Sequence, residues 1–149
     1  MVDYGATAHI CANKNVFTSY KYIGGGEELV TLSDSRTATV LGKGKVNLKL
    51  TSGKILSLSN ALHVLDMNYN LVSVSILSKA GIKTIFDLDK VLLSKCGGFV
   101  GKGFYSNGLF VLDVSKVLNE SVPSSTYLVD LWHGRLGHVS FSYISVQSV

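Results

Sequence analysis

The residue types able to do chemistry gather at the two ends of the chain. Near the start, Asp3-Tyr4-Gly5-Ala6-Thr7-Ala8-His9 sets an Asp two positions before a Gly. The plain reading of Asp-x-Gly is a turn, because the carboxylate accepts bonds from nearby amides and the glycine tolerates positive φ. The chemical reading is peptide hydrolysis, in which two carboxylates about 3 Å apart share one proton, one serving as base and the other as acid. Asp34, Asp66, Asp87, Asp89 and Asp113 lack a following glycine. The second carboxylate would therefore come from another copy of the chain, and the working enzyme would be a symmetric homodimer.

Near the other end stand His133 and His138. Zinc requires four ligands in a tetrahedron, and two histidines supply half of that set. Both histidines otherwise read as surface or packing residues, and no cofactor is expected in this chain alone. Cys11 and Cys96 show no Cys-x-x-Cys spacing, so they read as small buried hydrophobes rather than as a disulfide or thiolate metal site. A Cys11–His9 nucleophile pair would lack an orienting acid. Gly24-Gly25-Gly26 precedes Glu27-Glu28 with no Lys-Ser or Lys-Thr, so it reads as a loop and not as a phosphate cradle.

The elements that must position these residues are mostly strands. From Glu28 to Val64 apolar and polar residues alternate in short runs separated by Asp34-Ser35, Gly42-Lys43-Gly44, Thr51-Ser52-Gly53 and Ser59-Asn60. Thr39–Leu41 and Val46–Leu50 on either side of Gly42-Lys43-Gly44 read as a β-hairpin. Further strands are predicted at Lys54–Leu58, Ala61–Val64, Lys83–Phe86, Val91–Leu93, Gly98–Lys102 and Leu109–Val114. Many short strands at this spacing argue for a barrel. Val72–Ala80 has helical spacing, with Gly81 as a stop. Asn119–Ser125 is polar and carries the only proline, Pro123, which marks a linker; a second helix is expected to open over Tyr127–Leu136.

Composition bounds the rest. The chain has 149 residues, 46% of them apolar and 16% charged, enough for one core and far from disorder. No run approaches about 18 uninterrupted apolar residues, and the start lacks the basic and apolar regions of a leader, so a soluble cytoplasmic or nuclear protein, neither membrane-bound nor secreted, is expected. The net charge of +4 is spread over scattered lysines, which permits weak attraction to nucleic acid without specifying it.

Several blocks fall in an order that resembles the Pol polyprotein of copia-type LTR retrotransposons. They are Asp3-Tyr4-Gly5-Ala6 with His9, Leu32-Ser33-Asp34, Gly42-Lys43-Gly44, Ala61-Leu62-His63-Val64, Asn70–Val74, and Leu131-Trp132-His133-Gly134-Arg135-Leu136-Gly137-His138. The resemblance implies a mainly β fold: a small closed or partly open β-barrel, aspartic-protease-like, with one short helix and a C-terminal helical tail. It implies a protease-region domain over 1–114, a linker over 115–126 and a truncated GAG-pre-integrase segment over 127–149. It makes Asp3 the catalytic carboxylate, Gly5 the residue that allows close backbone approach, and Gly42, Lys43 and Gly44 a flap over substrate. His133 and His138 become half of a zinc site that a later Cys-x-x-Cys would complete. Tyr4 stands where the family has a short hydroxyl, Ser35 where it has Gly and Leu65 where it has Pro, so a degenerate, inactive copy is expected. The alternatives are a homodimeric endopeptidase that cleaves its parent polyprotein and a non-catalytic module that binds protein or nucleic acid.

Overall fold

The computed structural model describes residues 8–24, 28–31, 37–64, 67, 69–118, 127–130 and 145–148. In chain order the strands are β1 (Ile10–Cys11), β2 (Ser19–Tyr22), β3 (Glu28–Thr31), β4 (Thr37–Thr39), β5 (Gly42–Leu50), β6 (Ile55–His63) and β7 (Asn70–Ser73). They continue as β8 (Ile82–Asp87), β9 (Lys90–Lys95), β10 (Gly98–Ser106), β11 (Leu109–Leu112), β12 (Val114–Val117), β13 (Tyr127–Asp130) and β14 (Ser145–Ser148). Among the described residues one α-helix, α1 (Val74–Lys79), follows β7 directly, and a single 3-10 turn spans Lys14–Val16. The N-cap of α1 is Ser73, whose side chain accepts from the Ile76 amide, and Gly81 at φ +85° follows its end. The short helix expected over Val72–Ala80 is therefore present, though Val72 and Ser73 belong to β7 and Ala80 is its C-cap.

Eleven strands form one sheet in the order β12-β5-β6-β1-β7-β13-β11-β10-β9-β8, with β2 also on β5; β14-β3-β4 form a second sheet. The fold is mainly β, as expected, but among the described residues the large sheet ends at β12 and β8 and does not close into a barrel. It is curled. Only Asp113 separates β11 from β12, yet β11 pairs with β10 and β13 while β12 pairs with β5. The Thr51 amide donates to the Asp113 carbonyl at 3.2 Å, so one chain segment bridges the two arms.

Two apolar clusters fill the fold. The larger holds Val46, Leu48, Leu50, Leu58, Leu93 and Phe110 with Cys11 and Tyr127; the smaller packs Ile10, Leu62 and Leu71 against Val30, Ala38 and Val40. Neighbours such as Ile10 and Cys11, or Leu71 and Val72, go to opposite clusters. Both faces of β1 and β7 are thus covered, which is why these strands read as continuous apolar runs.

Four expectations need correction. Gly42-Lys43-Gly44 is no turn: it opens β5, with β2 hydrogen-bonded on one side and β6 on the other. A Cβ on Gly44 would run into the Ser19 carbonyl and the Phe17 ring, and one on Gly42 into the Tyr20 ring, so these glycines serve close approach. The hairpin turn lies instead at Thr51-Ser52-Gly53, where Gly53 has φ +90°. Second, Ser59-Asn60 does not separate two strands. It is a bulge within β6, with Asn60 at φ +55° and the register shifting between Gly44 and Val46. Third, β12 runs to Val117, into the expected linker. Fourth, Tyr127–Asp130 is a strand and not the start of a helix; β13 lies inside the large sheet, parallel to β7 and antiparallel to β11. Its Tyr-Leu-Val composition suits a sheet whose neighbours are already in place. Within the described residues, 127–130 therefore belong to the same unit as 8–118. Residues 131–136, the rest of the expected helix, lie outside the described residues.

Candidate functional site: the buried polar groups around β1

Asp3, Tyr4, Gly5, His133 and His138 lie outside the described residues, whereas the strand that Asp3-Tyr4-Gly5-Ala6 leads into is well defined. β1 runs parallel to β6 and antiparallel to β7. Its flanking groups are tied down as well: the Leu62 amide donates to the His9 carbonyl at 2.8 Å, the Val64 amide to the Cys11 carbonyl at 3.0 Å, and the Ala12 amide to Asn70 Oδ1 at 2.9 Å. Two edges and two faces of a very short strand are satisfied by side chains and backbone from elsewhere in the chain.

The polar side chains here are tied to structural neighbours or packed against them. His9, only 1% exposed, accepts the Ser73 amide proton at Nδ1 over 2.9 Å. Burial lowers its pKa from 6.5 to about 4, and a proton on Nδ1 would also face the Ser73 donor. His9 thus ties β1 to the N-cap of α1 as a neutral ring. Cys11 is fully buried, and burial pushes its thiol up to about 12, against a smaller lowering from Tyr127. The Tyr127 hydroxyl sits beside this thiol with no conventional partner, and burial raises its pKa too. Neither group ionises in the range where enzymes work.

Cys11 lies opposite His63 in the β1–β6 ladder. The His63 ring joins Tyr20, with the hydroxyl and Nδ1 2.8 Å apart, and both rings meet Phe17 edge to face, at centroid distances of 5.2 Å for Tyr20 and 6.1 Å for His63. Burial lowers the His63 pKa, the Ala12 backbone raises it and Lys14 lowers it. A Cys–His dyad needs a thiolate beside an imidazolium. Here burial drives both groups toward their neutral forms. A Cys11–His9 pair, set aside from the sequence for want of an orienting acid, is not assembled either, since His9 Nδ1 accepts from Ser73 and Cys11 lies beside Tyr127.

Elsewhere the described carboxylates stand apart from this cluster. Asp87 and Asp89 are exposed at the β8–β9 turn, and Glu28 pairs with Lys43 at 2.6 Å. Lys43, one of the flap candidates, therefore spends its charge on β3. Among the described residues no three His, Cys, Asp or Glu gather where they could hold a metal. A surface cleft of about 530 Å³ lies between β6 and β9, lined in part by Lys54, Ser57, Lys95 and Cys96, and offers two amines and a thiol but no carboxylate.

His9 was visible in the sequence as part of the Asp-x-Gly-Ala block. Ser73, Asn70, Tyr20 and Tyr127 were missed as partners of His9, Ala12, His63 and Cys11, because their roles arise from pairings with distant residues. Only the Ser73 position before an apolar helical run carried a local signal.

Comparison with known proteins completes the description. Residues 1–82 match a family described as the Pol polyprotein, beta-barrel domain. The chain is 28% identical over 141 residues to the retrovirus-related Pol polyprotein from transposon TNT 1-94 of Nicotiana tabacum, covering 94% of this chain and 10% of that protein. It is 28% identical over 151 residues to the retrovirus-related Pol polyprotein from transposon RE1 of Arabidopsis thaliana, covering 97% of this chain and 10% of that one. The chain spans about a tenth of the length of these relatives. No solved structure matches.

Proposed function

Since the chain belongs to the Pol polyprotein β-barrel domain family and is a fragment of a retrotransposon Pol polyprotein, we propose that it is a catalytically silent module of protease-like ancestry. The observation that carries this reading is the state of the β1 cluster. His9, Cys11 and Tyr127 are buried, held neutral and each placed against a structural neighbour, so the strand that follows Asp3 and Gly5 is built for cohesion. Tyr4 supports it, since a phenol is too long to reproduce the short hydroxyl that locks paired active-site loops together. In this reading His133 and His138 open the pre-integrase region of the same polyprotein and are half of a zinc site.

A peptide-library cleavage assay read by mass spectrometry between acidic and neutral pH tests the proposal. Concentrated protein and its Asp3→Asn variant should give the same background. Cleavage by the parent that the variant lacks would overturn it.

The second reading is a homodimeric endopeptidase that processes its parent polyprotein. One observation favours it: the segment bearing Asp3 and Gly5 leads into a strand gripped by both β6 and β7, an anchored end that could hold a catalytic turn. Sedimentation showing only monomer at high concentration would remove it, because one chain supplies a single Asp-x-Gly.

A further inference from the structure

The three strands at the far end of the large sheet, β8, β9 and β10, turn one face inward and the other to solvent. Ile82, Val91 and Leu93 face the larger core. The register gives the outer face row by row. Lys83 pairs with Ser94 and Ser94 with Phe99; Ile85 pairs with Leu92 and Leu92 with Lys102; Asp87 pairs with Lys90 and Lys90 with Phe104. A bulge between Phe99 and Gly101 keeps Phe99, Lys102 and Phe104 on this same side. Phe99 and Phe104 are each 48% exposed and Ile85 is 39% exposed, while Lys83, Lys90 and Lys102 are exposed around them.

Two phenyl rings held out to water from a rigid sheet contribute nothing to the core. Their ladder positions set them about 13 Å apart along β10, from the strand rise. Three ammonium groups alternate with them and one carboxylate, Asp87, opposes them, so the face is net cationic. A wholly apolar partner would leave those amines unpaired. A chain that offers flat π-faces at intervals and a negative charge at each repeat would match both features, and single-stranded nucleic acid is that chemistry.

We infer that the β8–β9–β10 face binds single-stranded RNA or DNA, with Phe99 and Phe104 stacking on bases and Lys83, Lys90 and Lys102 placed along the phosphates. The inference stands whether or not the domain cleaves peptides. Binding is sequence-tolerant, since stacking and charge do not read base edges.

Fluorescence anisotropy with a labelled single strand of about twelve nucleotides tests it, a length within the range such surfaces cover. The protein should bind saturably at low salt, with log affinity falling against log salt at a slope near −2, as expected for about three neutralised phosphates on a single strand. Phe99→Ala and Phe104→Ala should each weaken binding by about tenfold, while Phe99→Tyr and Phe104→Tyr, which keep the ring, should bind like the parent. Lys90→Glu should weaken it further at low salt than at high salt. Lys116→Ser, on β12 away from this face, should leave affinity unchanged. Equal affinity of the parent and the two alanine variants, or binding insensitive to salt, would overturn the inference. So would a parent dimer in sedimentation that Phe104→Ala converts to monomer, because the occupant of the face would then be a second copy.

Discussion

Keeping His9 neutral inside the fold ties stability to pH in a defined direction. In the unfolded chain the ring has its ordinary pKa of 6.5, whereas burial lowers it to about 4 in the folded one. Below pH 6.5 the unfolded state takes up a proton that the folded state refuses, so acid favours unfolding. The contribution is fully present above pH 6.5, shrinks as pH falls, and stops changing once pH passes below about 4. Linkage gives a loss of about 2 kcal/mol by pH 5 and about 3 kcal/mol by pH 4. That is a large part of the margin of a domain this size. Urea unfolding of the parent and of His9→Gln at pH 7, 5 and 4 measures it. Glutamine can accept the Ser73 amide proton but does not titrate. His63, whose pKa is also lowered, is present in both proteins, as is every other group, so the difference between the two profiles isolates His9. His9→Gln should therefore lose about 3 kcal/mol less than the parent between pH 7 and pH 4. Parallel profiles would refute the claim that His9 is buried as a neutral acceptor.

Four further outcomes follow from the packing. Gly44→Ala drives a Cβ into the Ser19 carbonyl, which is backbone and cannot rotate away, so urea unfolding should show a loss of about 2 kcal/mol. A Cβ on Gly53 meets open space; Gly53→Ala should cost only about 1 kcal/mol, from its positive φ. In the native protein Ellman's reagent should titrate one thiol per chain, the exposed Cys96, and reach the buried Cys11 only in denaturant; two fast thiols would contradict the packing of Cys11 against Tyr127. Tyr20→Phe removes the partner of His63 Nδ1 and should lower stability by about 1 kcal/mol in the same unfolding assay.

The strands were legible wherever one face is apolar and the partner is adjacent in sequence. Val46, Leu48 and Leu50 alternate cleanly and do form one buried face of β5. The helix after Ser73 was legible from its cap, spacing and terminal glycine. Glycine was ambiguous: Gly42 and Gly44 carry the composition of a turn, but their purpose is to let β2 lie against β5, and no local pattern separates the two uses. Ser59-Asn60 misled for a related reason, since a left-handed Asn serves a bulge as well as a turn. Tyr127–Asp130 could not be placed from its own sequence, because four residues have no period and their strand identity comes from β7 and β11 on either side. The same holds for the β1 cluster. The ordered set of blocks pointed to the family, while the partners of His9, Cys11 and His63 lie 116 residues away or less along the chain and meet only through the sheet.

The whole reading depends on β13 holding its place beside β7 in the sheet, because that places Tyr127 against the Cys11 thiol. Native-state hydrogen exchange measures this directly. The amides of Tyr127–Asp130 that bond within the sheet should exchange as slowly as those of β7, by global unfolding alone. Fast exchange across Tyr127–Asp130, with β5, β6 and β7 still protected, would show that the strand lies outside the folded unit and that the groups around β1 are open to solvent.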